Sequence, residues 1–273
     1  MHKDNLRRAA VAGTFYPSDP GELKELIRSF HKPIAKKIKA KACMLPHAGY
    51  IYSGAVAVNT LAGIEIPGIC VLIGPNHTGR GEAFSIMQEG FWQTPFGDVR
   101  INTVLAQSIC RYFKYLVVDE EAHILEHSLE VEVPILQYFS PAVEIVPITI
   151  ASDDPELLEE LGNAIALAIQ AENLKDNSLV IASSDMSHYV SAEMAKINDQ
   201  QAIKEIIGLN PSGLIQKVEE LNISMCGYAP VASMLYAAKA LGAKKAGLSG
   251  YQTSGDVTGD YASVVGYAGV VIS

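Results

Sequence analysis

Ile69-Cys70-Val71-Leu72-Ile73-Gly74-Pro75-Asn76-His77-Thr78-Gly79 is the stretch that decides the fold. Its first half is a short apolar run without alternation, which suits a strand buried on both faces of a sheet. Its second half turns polar at once, with Gly, Pro and Asn marking a turn and a histidine inside it. The pattern recurs twice. Residues 42–46 run into Pro46-His47-Ala48-Gly49-Tyr50, and residues 179–183 run into Ser183-Ser184-Asp185-Met186-Ser187-His188-Tyr189. Further strand-like runs occupy 143–150 and 263–272.

Helix-like stretches alternate with these runs, at 55–61, 104–113, 155–171, 193–207 and 229–241. The firmest starts at Asp154-Pro155 and repeats apolar residues at Leu157, Leu161, Ile165 and Ile169. An opening helix is signalled by Asp19 as cap, Pro20 at the first position and Glu22 three residues after the cap. Leu23, Leu26, Ile27 and Phe30 give it one apolar face. Apolar strands alternating with helices indicate a three-layer α/β fold around a central, mostly parallel or mixed sheet. Residues 83–87 and the last strand lack crossover helices, so antiparallel additions are expected at the ends. No repeat, low-complexity tract or Pro/Ser-rich linker divides the chain, and residues 1–273 are expected to form one domain.

In open α/β sheets, ligands bind beyond the carboxyl ends of the strands. His47, His77 and His188 each lie just past such an end. A lone histidine is ordinarily a loop or capping hydrogen bonder, but independent structural histidines have no reason to fall at three corresponding ends. Ala122-His123-Ile124-Leu125-Glu126-His127-Ser128 adds two more, four apart, which would share a face if helical. His127 suits either a core hydrogen bonder or an acid/base group, whereas His2 and His31 read as surface. Neutral imidazole is the commonest protein metal ligand. Two imidazoles plus one anionic group leave coordination positions open, and the third ligand could be Asp185 or Cys226. The thiolate would suit iron, copper or zinc and exclude magnesium or calcium.

Composition narrows the classes further. The 273 residues are 49% hydrophobic and 19% charged, with a net charge of -9. That balance argues against a general nucleic-acid binder. The short basic runs at Lys36-Lys37, Lys39, Lys41 and Lys244-Lys245 read as solvated surface. The first eight residues resemble neither a signal nor a transit peptide. No apolar run reaches the ~20 residues of a membrane span, so a cytoplasmic protein without membrane association is expected. Cys43, Cys70, Cys110 and Cys226 contain no CxxC pair, which excludes zinc-ribbon and thioredoxin motifs. Cys43 and Cys70 read as core residues, Cys110 as a helix residue, and Cys226, before Gly227, stands in the unusual setting. There is no GxGxxG after a strand and no Walker A sequence, and Gly247-Leu248-Ser249-Gly250-Tyr251 misses the GxSxG elbow.

At these residues the chain resembles the Memo family over nearly its whole length. The matching blocks are Arg8-Ala9-Ala10-Val11-Ala12-Gly13-Thr14-Phe15-Tyr16-Pro17, the His47 block through Gly54, the His77 block and Trp92-Gln93-Thr94-Pro95-Phe96-Gly97-Asp98. Glu126-His127-Ser128-Leu129-Glu130-Val131, the Asp185–His188 block, Cys226-Gly227 and Ser254-Gly255-Asp256 complete them. The resemblance implies a fold like that of class III extradiol dioxygenases. It implies metal ligation of iron (Fe2+) or copper, with zinc as a further fit, by His47, His77 and Cys226, with Asp185 and His188 lining the pocket. Those dioxygenases use two histidines and a glutamate, so a cysteine in the carboxylate's place bears on ring cleavage. The resemblance also implies a functional link to radical-SAM and AMMECR1-like proteins, the AmmeMemoRadiSam trio.

Three functions fit this reading. The first is a non-haem metal oxidoreductase acting on a small-molecule substrate, with His188 or His127 as acid or base, Asp185 orienting an imidazole, and Tyr50 and Tyr189 shaping the pocket. The second is a non-catalytic metal- or (phospho)peptide-binding protein. The third is a cysteine hydrolase, with Cys226 activated by His47 or His188.

Overall fold

The computed structural model describes residues 5–34 and 36–273. Through its first part the chain forms β1 (Leu6–Arg7), α1 (Pro20–Phe30), β2 (Ala42–Leu45), α2 (Tyr50–Ala62), β3 (Ile69–Pro75), β4 (Phe84–Ile86), β5 (Phe91–Thr94) and β6 (Gly97–Arg100). Next come α3 (Thr103–Tyr112), β7 (Val117–Val118), α4 (Glu121–Ile124), α5 (Glu132–Phe139), β8 (Glu144–Ile150), α6 (Pro155–Ala171) and β9 (Ser178–Ser183). The remainder holds β10 (His188–Val190), α7 (Ala192–Ile207), α8 (Pro211–Glu220), α9 (Tyr228–Ala240), β11 (Ala246–Thr253), α10 (Gly255–Thr258) and β12 (Val264–Ile272).

The main sheet has the order β10-β12-β2-β9-β3-β8-β4-β7, with β11 paired to β12. Its centre, β2-β9-β3-β8, is parallel throughout. The expected antiparallel additions are present, since β4 runs against β8 and β12 against β2. Alternate residues of the central strands feed two cores, as a sheet covered on both faces requires. Ala42, Met44, Val71, Ile73, Val180 and Ala182 meet α3, α6, α7, α8 and α9 on one face. Cys43, Leu45, Cys70, Leu72, Leu179 and Ile181 meet α1, α2 and α5 on the other. This is the three-layer α/β arrangement with a mixed sheet.

The caps act as the sequence indicates. Asp19 Oδ1 accepts from Glu22 N at 2.9 Å, and Asp154 Oδ1 accepts from Glu156 N at 3.0 Å and Leu157 N at 3.3 Å. Helix α2 starts five residues earlier than its apolar spacing suggests, because Gly49 caps it and Tyr50 turns straight into the core. A small β1-β5-β6 sheet, which carries no clear sequence signal, anchors the N-terminal segment. His2 lies outside the described residues; His31 is exposed, as are Lys36, Lys37, Lys39, Lys244 and Lys245. Among the described residues no helix is long and apolar enough to cross a membrane.

Candidate metal centre

Three neighbouring parallel strands deliver the site. In the spatial order β2-β9-β3 they end at Leu45, Ser183 and Pro75, and His47, Asp185 and His77 each stand two residues beyond. His188 follows on β10, held beside β12. The histidines singled out at three strand ends therefore converge on one sheet edge.

His47 is buried, and its backbone N–H donates to Asp185 Oδ1 at 2.8 Å. Its Nδ1 lies 2.8 Å from Ser183 Oγ, while Ser183 donates to the Ser128 carbonyl at 2.6 Å. A hydroxyl has one proton and a carbonyl only accepts. Nδ1 of His47 is therefore the donor to Ser183, and the ring's lone pair sits on Nε2, 3.3 Å from Cys226 Sγ. Burial, then the nearby imidazoles of His77 and His127, hold His47 well below the usual histidine range, so it is neutral.

His77 is locked the same way by a different partner. Its Nδ1 lies 2.9 Å from Glu126 Oε1, and its backbone N–H donates to Oε2 of the same carboxylate. His127 N at 3.0 Å and Ser128 N at 2.9 Å also donate to Glu126 Oε1. Burial alone would raise this carboxyl, but the His77 hydrogen bond and charge, with the Ser128 amide, bring it down to about 2. An ionised carboxylate only accepts, so Nδ1 of His77 carries a proton, and in the neutral form of the ring the lone pair falls on Nε2.

Small residues permit these close approaches. A Cβ on Gly74 would lie 2.6 Å from Leu129 Cδ2 and 2.8 Å from Ser128 Oγ, so glycine lets the 126–129 segment fold over the end of β3. A Cβ on Gly227 would collide with the Ser183 carbonyl and the Ser184 side chain, so glycine there seats Cys226 against β9. From below, buried Arg7 donates to the carbonyls of His123 at 2.6 Å and Glu126 at 2.7 Å, and pairs with Glu130 at 2.7 Å. Glu130 in turn accepts from Ala10 N, Val11 N and the Tyr16 hydroxyl.

One donor atom from each of His47, His77 and Cys226 lies within 4.8 Å of the other two. Ligands about 2.0–2.3 Å from a tetrahedral ion are roughly 3.3–3.6 Å apart, a spacing the His47–Cys226 pair already has at 3.3 Å. The donor set fits a transition metal. His77, Glu126 and His127 form a second group of the same compactness. The Glu126 oxygens are already occupied by four N–H donors, however, so this group braces His77 rather than offering free lone pairs. Burial, then the Asp185 charge, push the Cys226 thiol up, which leaves it protonated and a poor nucleophile in the free protein. Asp185 is itself raised by burial, to about 6, with the His47 amide opposing.

The remaining sequence candidates fall in different places. The His127 ring stacks on His77, with centroids 4.8 Å apart and planes at 24°, and lies 5.5 Å from His47. It belongs to the site. His123 does not: α4 ends at Ile124, so the two histidines share no helical face, and His123 packs inward, 5.9 Å from Trp92. His188 donates from Nδ1 to the Ser224 carbonyl at 2.8 Å, leaving Nε2 free, and its backbone N–H donates to Ser224 Oγ at 2.7 Å. Asp185 meets the backbone of His47 rather than its ring. Tyr50 is core, its hydroxyl donating to the Val131 carbonyl at 2.6 Å, and Tyr189 is 80% exposed. Cys43 and Cys70 are buried, and Cys110 lies on α3. Sequence reasoning missed the anchors Ser183 and Glu126 in these roles. Their signal was adjacency to the strand-end segments, and their partners lie far away in the chain.

Residues 7–271 match the family described as Memo-like protein. A MEMO1 family protein of Methanothermobacter thermautotrophicus is 42% identical over 275 residues, covering 96% of this chain and 99% of its own length. The chain belongs to the Memo family. Another Memo relative, from Aquifex aeolicus, is 43% identical over 97% of this chain and 98% of its own. The crystal structure of an uncharacterized protein from Escherichia coli K12 superposes with a TM-score of 0.58 at 15% identity, covering 86% of this chain and 100% of that one. That likeness shows the fold of this Memo chain and nothing finer.

Proposed function

We propose that this Memo family protein holds iron or copper at His47, His77 and Cys226 and acts as a dioxygenase-like oxidoreductase on a small molecule. One observation carries the reading. Both imidazoles are fixed through Nδ1, by Ser183 and Glu126, in the tautomer whose Nε2 lone pair is free for a metal beside the Cys226 sulfur. A thiolate with two imidazoles selects iron, copper or zinc over oxygen-seeking cations. When bound, a redox-active metal supplies electron exchange and Lewis acidity at the positions three ligands leave open.

The chain's own residues supply the rest. Cys226 would hold the metal as a thiolate, its proton passing to solvent. Asp185 fixes the His47 backbone, and buried His47 closes the inner side of the site to water. His188, whose Nδ1 donates to the Ser224 carbonyl, has Nε2 as the ring atom that can take a proton from a substrate hydroxyl. His127 offers a second imidazole at the rim.

The test is anaerobic Fe(II) and Cu(I) titration of the wild type beside His47→Ala, His77→Ala and Cys226→Ala, followed by screening for oxygen consumption. Stoichiometric binding lost in all three folded variants, with substrate-dependent oxygen uptake, is the expected result. A wild type that binds no metal, or alanine variants that bind as tightly, would sink the proposal. Binding without turnover of any screened substrate would favour a metal-holding role instead.

A further inference from the structure

Away from the metal centre, β11 forms an open edge of the main sheet. It pairs with β12 alone, and among the described residues no backbone hydrogen bond from outside that ladder reaches residues 246–252. Open edges are ordinarily protected by charges, proline or bulges. The eight residues of β11 contain no charge and no proline, and only the irregularity between Leu248 and Gly250 interrupts the strand.

A groove of about 480 Å³ runs beside this edge, between β11 and α7. Ile203, Ile207, Leu248 and Tyr251 give it an apolar floor, and Lys196 and Lys204 stand on its lip. Leu248 is 44% exposed, although large and apolar. Among the described residues neither lysine side chain makes an ion pair or hydrogen bond, in a chain of net charge -9. The same helix carries Glu193, Asp199 and Glu205, but Asp199 is taken by the Tyr251 hydroxyl at 2.8 Å and Glu205 by Asn210 at 2.7 Å. Lysines without an internal ion pair, next to unpaired backbone and an apolar floor, are the chemistry that receives an acidic extended chain.

The spacing specifies that chain further. Lys196 and Lys204 are two helical turns apart, about 12 Å along the axis. Strand residues i and i+4 are about 13 Å apart and share a face with i+2. We propose that the β11 edge docks an extended segment of a partner protein, which adds as a further strand with acidic side chains at i and i+4 and an apolar one at i+2. The carboxylates meet Lys204 and Lys196, and the central side chain covers Leu248 and Tyr251. A second copy fits less well, because a two-fold related α7 would bring another lysine pair to the same groove.

The probe is a fluorescein-labelled peptide, Gly-Asp-Thr-Ile-Thr-Asp-Gly, titrated into the full chain by anisotropy and followed by amide exchange at 246–252. Saturable binding below about 1 mM, with slowed exchange at β11, is expected. The double variant Lys196→Glu/Lys204→Glu should weaken binding by at least about tenfold while favouring a peptide with lysine in both acidic positions. Proline should abolish binding in only one alternate set of peptide positions, either the two threonines or the Asp-Ile-Asp set, since only one set turns its N–H groups to β11; tolerance of proline in both sets overturns strand addition. No saturation at about 1 mM, or equal affinity for the double variant, overturns the proposal. Sedimentation showing self-association that Leu248→Lys abolishes would also overturn it and give the edge to a second copy.

Discussion

Glu126→Gln is the change whose consequences can be worked furthest. The carboxyl is 1% exposed and is brought from 4.5 to about 2 in the folded protein. That difference corresponds to roughly 3 kcal/mol of stability. Because the folded value is depressed, the contribution is complete above 4.5 and disappears as pH falls through about 2. Glutamine keeps the volume, but its amide group would face an N–H donor where the second carboxylate oxygen now accepts. The expected loss at pH 7 is about 2–4 kcal/mol, read from urea unfolding followed by circular dichroism. The difference between wild type and variant should shrink steadily as the same experiment is repeated from pH 5 towards pH 2.5. Metal affinity should drop about 10- to 100-fold, since His77 loses the acceptor that fixes its tautomer. Equal stability at pH 7, or a difference that stays constant down the pH series, would refute the reasoning.

Ser183→Ala should leave the fold in place yet release the His47 ring, lowering Fe(II) or Cu(I) affinity about tenfold or more in the same titration; unchanged affinity would show that the hydroxyl does not set the tautomer. Arg7→Met should cost about 3–5 kcal/mol in chemical denaturation, because Glu130 would be left buried without its cation; a loss under about 1 kcal/mol would mean that the Ala10, Val11 and Tyr16 donors suffice alone.

The central fold was legible because its signals are local. The runs at 69–74 and 179–183 are apolar throughout, as doubly covered strands must be, and the Asp154-Pro155 start fixes α6 without reference to anything distant. His47 and His77 were legible for the same reason, since a strand's end can be read from its own residues. What anchors them could not be read. Ser183 sits at the end of a different strand, and Glu126 lies on a segment that reaches β3 only because Gly74 lacks a side chain. The His123 expectation failed on length: four residues make α4 too short to carry a second histidine one turn on, and the inward turn of His123 depends on Arg7, more than a hundred residues earlier. The β1-β5-β6 sheet escaped notice because β1 is only two residues long and the β5-β6 strands are four residues each and half-exposed, too short to show a pattern.

The insertion of β9 between β2 and β3 has a consequence for synthesis. Both imidazole-bearing strands leave the ribosome early, joined by α2, while the strand that must separate them appears only after β8 and α6. Until then, β2 and β3 are two apolar parallel-type strands with an empty slot between them and with Ser183 not yet available to orient His47. A nascent chain that paired them directly would be a kinetic trap in which neither imidazole had its final partner. Cys226 emerges later still, so the three donors exist together only near the end of translation. On the proposed function, an ion could find its three donors together only once Cys226 has been made.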